Sequence, residues 1–517
     1  MSDPQPVDFF GLVLNRADLA VQSKVRLPLP IVVGNADYAE RESLLRRMDE
    51  ILVLSGVEDD FLAQAVAAAR TESECPNELL SDRRQGSVHR HAKQALRCTM
   101  ARILSNECHR QFSTHLAESP LLQWFCGCDS LKEKIRVPSK STLQRMESEV
   151  PPETITKLND LLLKSASGRD AAGVSPIGLV EAVDLSVIWI DSTCAKLDIH
   201  YPADWALLRD GTRSIMRAIQ VIREHGLKHR MPAPESFVSE MNKQAMAMTG
   251  ASRRGRGGDK KRGRKRALRA MKRVVRKVQR HGRRYAELIR NSWAETDLSK
   301  LQATRIAERI EGLLAAMPAA IKQAHERIIG ERLVPQEDKI LSLYEPHAKV
   351  YVRGKAGADV EFGLQLLVSE SADGLIVDCH LVPDRIANDS TLLMPAIARM
   401  NETFGPTVPS TVVTDRGFAS KANSASLTDA DIIDATLPRT PADMQKKLEN
   451  PVFRKLQRRR AQTEARIGIL KANFLGDRIP TKGPLAQRRF VAWATLAHNV
   501  WVLARLDRIP VAIRQAS

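Results

Sequence analysis

The sequence predicts a mixed α/β fold, in which an α-helical N-terminal region precedes a sheet that a long α-helical insertion splits in two. Three observations lead to this prediction. Short apolar runs of strand type occur at residues 187–190 and again between residues 348 and 437, whereas the residues before and between them repeat their apolar positions at helical spacing. We therefore expect a helical region at residues 1–175, a split sheet domain at residues 176–200 and 346–505, and a helical insertion at residues 201–345.

The N-terminal region is expected to be helical because apolar residues recur three and four positions apart, as at Leu96, Met100 and Ile103. Pro138-Ser139 then opens a further short helix that carries Arg145. Two short helices around a turn are typical of a helix that meets DNA with its N-terminus, and equally of an ordinary helical bundle. DNA binding by this region is therefore one of two open interpretations.

At Val187 the pattern changes to a continuous apolar run, Val187–Ile190, which is typical of a strand buried on both faces. The run is followed directly by Asp191, so the sequence predicts a carboxylate at the end of the first strand. Helical spacing returns after Tyr201-Pro202 and continues through the insertion.

One segment holds almost all of the excess positive charge. The chain has 79 Lys and Arg against 61 Asp and Glu, a net charge of +18, and residues 253–284 contribute 17 of these cations against Asp259 alone. Such a charge favours a polyanionic partner, with nucleic acid as the first candidate. The Gly-rich first part, residues 253–266, is expected to be a flexible loop. Beyond it a basic amphipathic helix is predicted by the spacing of Leu268, Met271, Val275 and Val278.

Contact with DNA phosphates is the favoured role of this segment, because its self-repulsion would otherwise be uncompensated. The candidate DNA-binding cations are Arg262, Arg264, Lys265, Arg266, Arg269, Lys272 and Arg273. A solvated charge run, a nuclear-localisation signal and a membrane-surface helix are the alternatives. The only nearby aromatic residues are Tyr285 and Trp293, so base stacking on single strands is not indicated.

Strand patterns return in the last third of the chain. One lies at residues 348–353, and two more, at residues 362–369 and 375–382, flank Asp373-Gly374 as a hairpin. Asp389-Ser390 caps the next helix, and the strand Thr411–Thr414 leads into Asp415, before a last strand at residues 432–437. With the insertion and the strand at 348–353 set aside, the first and fourth strands can lie side by side, each ending in an Asp.

Asp191 and Asp415 are therefore expected at adjacent strand ends, where carboxylates can hold the pair of cations used in phosphodiester chemistry. A third carboxylate comes from the helix predicted from Pro451, on which Arg460, Glu464 and Lys471 share one face. There Glu464 completes the metal site, and the two cations bind flanking phosphates. The alternative is a surface ion pair between residues four apart, which is common and weak.

The spacing Arg460-x3-Glu464-x6-Lys471 resembles the signature of DDE transposases of bacterial insertion sequences. That family has a Tyr three residues before the Arg, where this chain has Gln457, so the role of the Tyr does not carry over. Other similar segments are Ile190–Thr193, His200–Asp204, Val413–Phe418, Arg459–Glu464, Ala497–Asn499, Trp124–Gly127 and Ser141–Leu143. The resemblance extends along most of the chain, while residues 253–284 have no known counterpart in the family.

The resemblance implies a ribonuclease-H-like catalytic domain, with Asp191, Asp415 and Glu464 as catalytic acids and metal ligands. It implies cleavage and strand transfer of double-stranded DNA, at the element ends and the target, with two Mg²⁺ ions or with Mn²⁺ in their place. We expect a homodimer in the DNA complex, since two ends must meet, and a cytoplasmic, nucleoid-associated bacterial protein without a membrane span. A plain two-metal nuclease and a non-catalytic DNA-binding derivative are the alternatives.

Other residues near these acids are weaker candidates. Asp389 could replace Asp415 but precedes a helix as a cap, and Arg416 is either a phosphate contact or an ordinary surface residue. A Cys194–His200 dyad is not favoured. The acids just beyond the first strand are expected to be structural or close to DNA: Asp198, Asp204 and Asp210. The seven cysteines lack the paired spacing of a zinc site and are expected to be reduced thiols.

Overall fold

The computed structural model describes residues 29, 31–71, 80–128, 135–169, 173–199, 203–254, 257–335, 338–355, 358–382 and 388–509. The N-terminal region is helical, as the apolar spacing predicts. Its helices are α1 (Ala36–Leu54), α2 (Val57–Thr71), α3 (Asp82–Leu104), α4 (His109–Glu118), α5 (Pro120–Cys126), α6 (Lys140–Glu149) and α7 (Pro152–Ser167). Ser139 caps α6 by accepting a hydrogen bond from the backbone N–H of Thr142. The helix predicted from Pro138-Ser139 is therefore confirmed.

The described part of the insertion is built from long helices around one apolar core. These are α8 (Asp204–Glu224), α9 (Pro234–Arg254), α10 (Gly257–Ser292) and α11 (Lys300–Ile328), with a short 3₁₀ turn at Trp293–Glu295. α10 packs against the other three through its apolar face. Leu268, Met271, Val275 and Val278 are all buried there, which confirms the predicted amphipathic helix.

The flexible loop predicted for residues 253–266 is wrong throughout its described residues, because Arg253 and Arg254 end α9 and α10 begins at Gly257. Residues 255 and 256 lie outside the described part of the chain. One reason for the helix is close packing at Gly263, where a Cβ atom would lie 2.9 Å from the Cβ of Ala251 in α9. A second reason is that Lys261 and Lys265 both form ion pairs with Glu331. Glycine here permits close packing of two helices, which the composition alone does not show.

The sheet combines parallel and antiparallel strands. They are β1 (Val187–Lys196), β2 (Lys349–Lys355), β3 (Ala358–Glu370), β4 (Ile376–Leu381), β5 (Thr411–Thr414) and β6 (Ile433–Asp434). The hydrogen-bonding order is β2-β3-β1-β5-β6, and β4 pairs with β3. β1 and β5 are parallel, with Ile190 opposite Thr414, whereas β3 is antiparallel to β2 and β4. The mixed α/β class, the hairpin and the side-by-side placement of the first and fourth predicted strands are confirmed.

Two strands differ from the prediction. β1 continues for five residues beyond Asp191, so this acid lies inside the strand and not at its end. The extension is stabilised by pairing with β3, as in the hydrogen bond from Leu197 N to Phe362 O. β6 is shorter than predicted and covers only Ile433 and Asp434, although Ala435 and Leu437 also donate backbone hydrogen bonds to β5.

Helices fill the remainder of the chain. They are α12 (Asp389–Phe404), α13 (Lys421–Asp429), α14 (Pro441–Glu449), α15 (Pro451–Ile469) and α16 (Pro484–Leu503), and a π-helical turn at Leu470–Leu475 extends α15. α16 is buried along most of its length. Within the described residues, no helix is both long and apolar enough to cross a membrane.

The chain divides into two compact units. The first comprises the described residues within Met1–Thr193, Leu366–Leu381 and Ala387–Ser517, and the second those within Cys194–Gln365 and Val382–Ile386. The N-terminal helices thus belong to the same unit as β4, β5 and the C-terminal helices. Within this unit α16 packs against α7 and β4.

Candidate active site

The parallel pairing of β1 with β5 brings the two predicted aspartates together. Ile190 lies opposite Thr414, and each is followed directly by an acid, Asp191 in one strand and Asp415 after the other. Parallel strands point in the same direction, so residues that follow a paired position lie at the same edge. The register therefore places the two acids next to each other, with Asp191 within β1 and Asp415 directly after β5.

Backbone amides orient one oxygen of each carboxylate. Oδ1 of Asp191 accepts a hydrogen bond from Ser192 N at 2.8 Å, and Oδ1 of Asp415 accepts one from Gly417 N at 2.7 Å. A Cβ atom on Gly417 would lie 2.9 Å from Asp415 Oδ1 and 3.0 Å from Asp389 Oδ2. Glycine at this position therefore leaves room for two carboxylates. The same distances show that Asp389 lies beside Asp415.

Helix α15 is fixed to the sheet by hydrogen bonds from buried or half-buried side chains. Trp189 Nε1 donates to Leu456 O at 3.1 Å. Gln457 Nε2 donates to Thr414 O at 3.3 Å and to Ala435 O at 2.6 Å. Gln457, which stands where the resembling family has Tyr, thus ties α15 to the strand that precedes Asp415.

A buried ion pair provides a second attachment of α15. Arg459 Nη1 lies 2.7 Å from Glu370 Oε1, and the Glu370 side chain is only 1% exposed. The same guanidinium donates to the carbonyl oxygens of Ser371 and Ala372 at 3.0 Å and lies over the Trp189 ring. Sequence reasoning missed this attachment. Arg459 stands in the Arg-Arg pair quoted for the resemblance, but nothing in the sequence points to Glu370 as its partner.

The third acid reaches the aspartates from α15. Burial raises the pKa of Asp191 to about 6, and the charges of Asp415 and Glu464 contribute to the rise, against the lowering effects of Ser192 N–H and Arg460. Arg460 Nη1 is 3.9 Å from Asp191 Oδ2. Asp415 and Glu464 thus both lie within electrostatic range of Asp191. Glu464 itself is exposed to solvent.

Lys471 lies about two turns beyond Glu464, in the π-helical turn. Its Nζ donates to Thr193 Oγ1 at 3.3 Å, on the same strand as Asp191. Arg460, Glu464 and Lys471 therefore all face β1 or the acids beside it, as their spacing predicts. Thr193 is a neighbour of the site that the sequence did not single out.

The donor atoms suit a hard divalent cation. Carboxylate oxygens are the ligands that Mg²⁺ prefers, and a cation would favour the charged form of Asp191, which burial and the charges of Asp415 and Glu464 disfavour. In the described part of the chain, no group of three or more His, Cys, Asp or Glu side chains is already arranged to hold a metal ion. The acids thus converge without forming a closed ligand set.

Other predicted residues lie apart from this set or have structural partners. Arg416 is exposed next to Asp415. Asp204 is buried and pairs with Arg327 at 2.8 Å inside the insertion. Asp210 lies 3.2 Å from Arg209. Cys194 is buried, and His200 lies outside the described residues.

The predicted DNA-binding cations of the insertion all lie on α10 but differ in environment. Arg262, Arg266, Arg269 and Arg273 are exposed. Arg264, Lys265 and Lys272 are half-buried, and two of these have partners, since Lys265 pairs with Glu331 and Lys272 Nζ lies 3.3 Å from His325 Nδ1.

Comparison with known proteins gives a family match in the C-terminal part of the chain. Residues 345–500 match the family model described as "Transposase DDE domain". Searches of the curated proteins and of the solved structures gave no match. The matched residues include Asp415 and Glu464, whereas Asp191 precedes them, on the far side of the insertion in sequence. The mixed sheet with its helices is consistent with the ribonuclease-H-like fold of such a domain. Residues 345–500 are therefore similar to a transposase DDE domain, and this match supports a DDE-type transposase.

Proposed function

We propose that this protein is a transposase that cleaves and joins the DNA of an insertion sequence, with Asp191, Asp415 and Glu464 as its catalytic acids. The observation that carries the proposal is the parallel pairing of β1 with β5, which brings Asp191 and Asp415 together beside the helix that carries Arg460 and Glu464. Burial, together with the charges of Asp415 and Glu464, raises the pKa of Asp191 and agrees with this arrangement. Acids from separate segments that act on the charge of Asp191 oppose folding, and a cation-dependent site would explain why they are brought near it. The family match, which covers Asp415 and Glu464, supports the same assignment.

The three carboxylates would hold two Mg²⁺ ions, or Mn²⁺, which supply charge stabilisation to the attacking and leaving oxygens of a phosphodiester. Gly417 N–H and Ser192 N–H keep one oxygen of each aspartate in place. Arg460, beside Asp191, offsets negative charge at the site and is placed to bind a flanking phosphate, as Lys471 and Arg416 are.

The reaction has two steps. Water attacks the phosphorus at the element end, the bond to the 3′ oxygen breaks, and a 3′ hydroxyl is released. This hydroxyl then attacks a phosphodiester of the target, so that one new bond to phosphorus forms as another breaks. We further propose a homodimer in the DNA complex, because two ends must reach one target, and location in the bacterial cytoplasm at the nucleoid.

The test is an assay that separates cleavage from joining. A donor plasmid with the gene and its own flanking DNA is incubated with a target plasmid and Mg²⁺ or Mn²⁺. We expect Asp191→Asn, Asp415→Asn and Glu464→Gln each to lose at least about 100-fold in cleavage rate, since metal-assisted stabilisation is worth several kcal/mol. The matched controls are Asp429→Asn and Glu449→Gln, at exposed acids of α13 and α14, which should retain full activity.

Each alternative has its own outcome. Cleavage without joining by the unmodified protein would identify a plain nuclease. DNA binding without cleavage under either metal would identify a non-catalytic derivative. Full cleavage by Asp415→Asn would show that the second acid is assigned wrongly, with Asp389 as the neighbouring replacement.

A further inference from the structure

Helix α10 has one apolar face and one cationic face. The apolar face is buried in the insertion core and comprises Ala267, Leu268, Met271, Val274, Val275, Val278, Tyr285, Ala286 and Ile289. On the opposite side, eight exposed cations recur three and four residues apart. They are Arg266, Arg269, Arg273, Arg276, Lys277, Arg280, Arg283 and Arg284, which we call the α10 stripe. The sequence prediction of phosphate contact covered residues 253–284 as a whole, but it named only the first three members of the stripe as individual candidates.

The stripe is not neutralised by carboxylates. Acids do pair with cations outside the stripe: Glu331 with Lys261 and Lys265 before it, and Glu311 with Arg290 after it. Among the described residues, none of the eight stripe cations forms an ion pair. Neighbouring like charges three or four residues apart on a helix destabilise it by about 0.2–0.5 kcal/mol a pair. Packing of the buried apolar face therefore stabilises α10 against the repulsion between its exposed cations.

Packing of α10 excludes two kinds of partner. An interfacial membrane helix must insert its apolar face, but here that face is buried against α8, α9 and α11. A groove for single-stranded nucleic acid uses exposed aromatic side chains, and the one aromatic residue of α10, Tyr285, is fully buried. The stripe therefore offers charge without stacking surface, which fits the phosphates of a duplex.

We propose that the α10 stripe binds the phosphate backbone of double-stranded DNA independently of base sequence. From Arg266 to Arg284 the stripe is roughly 27 Å long at about 1.5 Å per residue, close to one turn of duplex. Arginine suits this role because it remains charged and donates several hydrogen bonds to phosphate. The proposal rests on the proposed function in one respect, that duplex DNA is the substrate.

The test compares the salt dependence of DNA binding in two variants of the full chain. The stripe variant combines Arg266→Gln, Arg269→Gln, Arg273→Gln, Arg276→Gln and Arg280→Gln. The control variant removes five exposed cations elsewhere in the insertion: Lys228→Gln, Arg230→Gln, Lys243→Gln, Arg305→Gln and Arg309→Gln. Fluorescence anisotropy of a labelled 30-base-pair duplex of random sequence is measured in EDTA over a series of NaCl concentrations.

For the stripe variant we expect at least about tenfold weaker binding, with the slope of log affinity against log salt falling by about 3 to 5. The control should change the slope by less than about 1. Circular dichroism should show unchanged helix content, and at low salt the stripe variant should unfold at a higher temperature, because like-charge repulsion is removed. That gain should disappear at high salt.

Three results would overturn the proposal. One is an unchanged slope in the stripe variant, and another is an equal loss in the control. The third comes from a parallel measurement with phosphatidylserine vesicles: the stripe variant loses binding to the vesicles but keeps its binding to the duplex. This binding test is run in EDTA, which prevents cleavage, so its result does not depend on the cleavage and joining assay that tests the proposed function.

Discussion

At the scale of the residue, Asp191 is held in an environment that opposes its own charge. Its side chain is 17% exposed, and burial together with Asp415 and Glu464 raises its pKa to about 6, from 3.8 for an exposed aspartate. Between these two values the folded state binds more protons than the unfolded state, so stability falls as pH rises from about 4 to 6. The loss amounts to at most about 3 kcal/mol.

Asp191→Asn should therefore be more stable than the unmodified protein at pH 8 without divalent metal, by up to about 3 kcal/mol. The difference should decrease as pH falls through 6 and vanish below about 4, where Asp191 is protonated in both states. Urea unfolding in EDTA from pH 4 to 8 measures it, with Asp429→Asn as the control at an exposed acid. A variant that is no more stable at pH 8, or a difference that grows in acid, would contradict the environment described for Asp191.

At the scale of the element, the position of α15 depends on contacts that lie outside the acid signature. Gln457 bonds to the ends of two strands, and Arg459 holds Glu370, which is almost fully buried. Together they set where Glu464 lies relative to the sheet. The family signature names the acid, but these neighbours position the helix that carries it.

Arg459→Ala should destabilise the protein by about 3 kcal/mol, because it leaves the Glu370 carboxylate buried without its main partner. Thermal or urea unfolding measures the loss, and Arg458→Ala, at the exposed neighbouring arginine, is the matched control. Adding Glu370→Gln to Arg459→Ala should recover part of the stability, since it removes the unpaired charge. Equal stability of the two single Arg variants would show that the ion pair does not anchor α15.

At the scale of the whole molecule, the N-terminal helices share a core with part of the sheet. Asn499, fully buried in α16, donates to Asn159 Oδ1 of α7 and to Ile376 O of β4, both at 2.8 Å, and accepts from Ile376 N. One side chain thereby connects three elements that are distant in sequence. We expect α7 and β4 to unfold together as a consequence.

Asn499→Ala should cost about 2–4 kcal/mol, because it leaves buried polar groups of Ile376 and Asn159 without partners. Hydrogen exchange should show α7 and β4 losing protection by the same amount, while α10 in the second unit is unchanged. Gln144→Ala, at an exposed amide of α6, is the control. Loss of protection in α16 alone would contradict the shared core.

The sequence predicted those features that depend on local periodicity. The apolar runs at Val187–Ile190 and Thr411–Thr414 identified two core strands, and the helical spacing of α10 separated its apolar side from its cations. Asp415 was identified by its place after a strand. Glu464 was identified by the family signature, because helical spacing alone equally fits a surface ion pair.

Only the tertiary structure decided what depends on partners distant in the chain. β1 extends past Asp191 because β3 pairs with it, and residues 257–266 are helical because α9 and Glu331 contact them. Glu370 becomes the partner of Arg459 across 89 residues. Pairing, close packing and burial are long-range contacts, and a one-dimensional pattern of hydrophobicity and charge carries no record of them. The sequence thus indicated which residues are candidates for the chemistry, and the tertiary structure decided which of them lie together and which cations of α10 form no ion pair among the described residues.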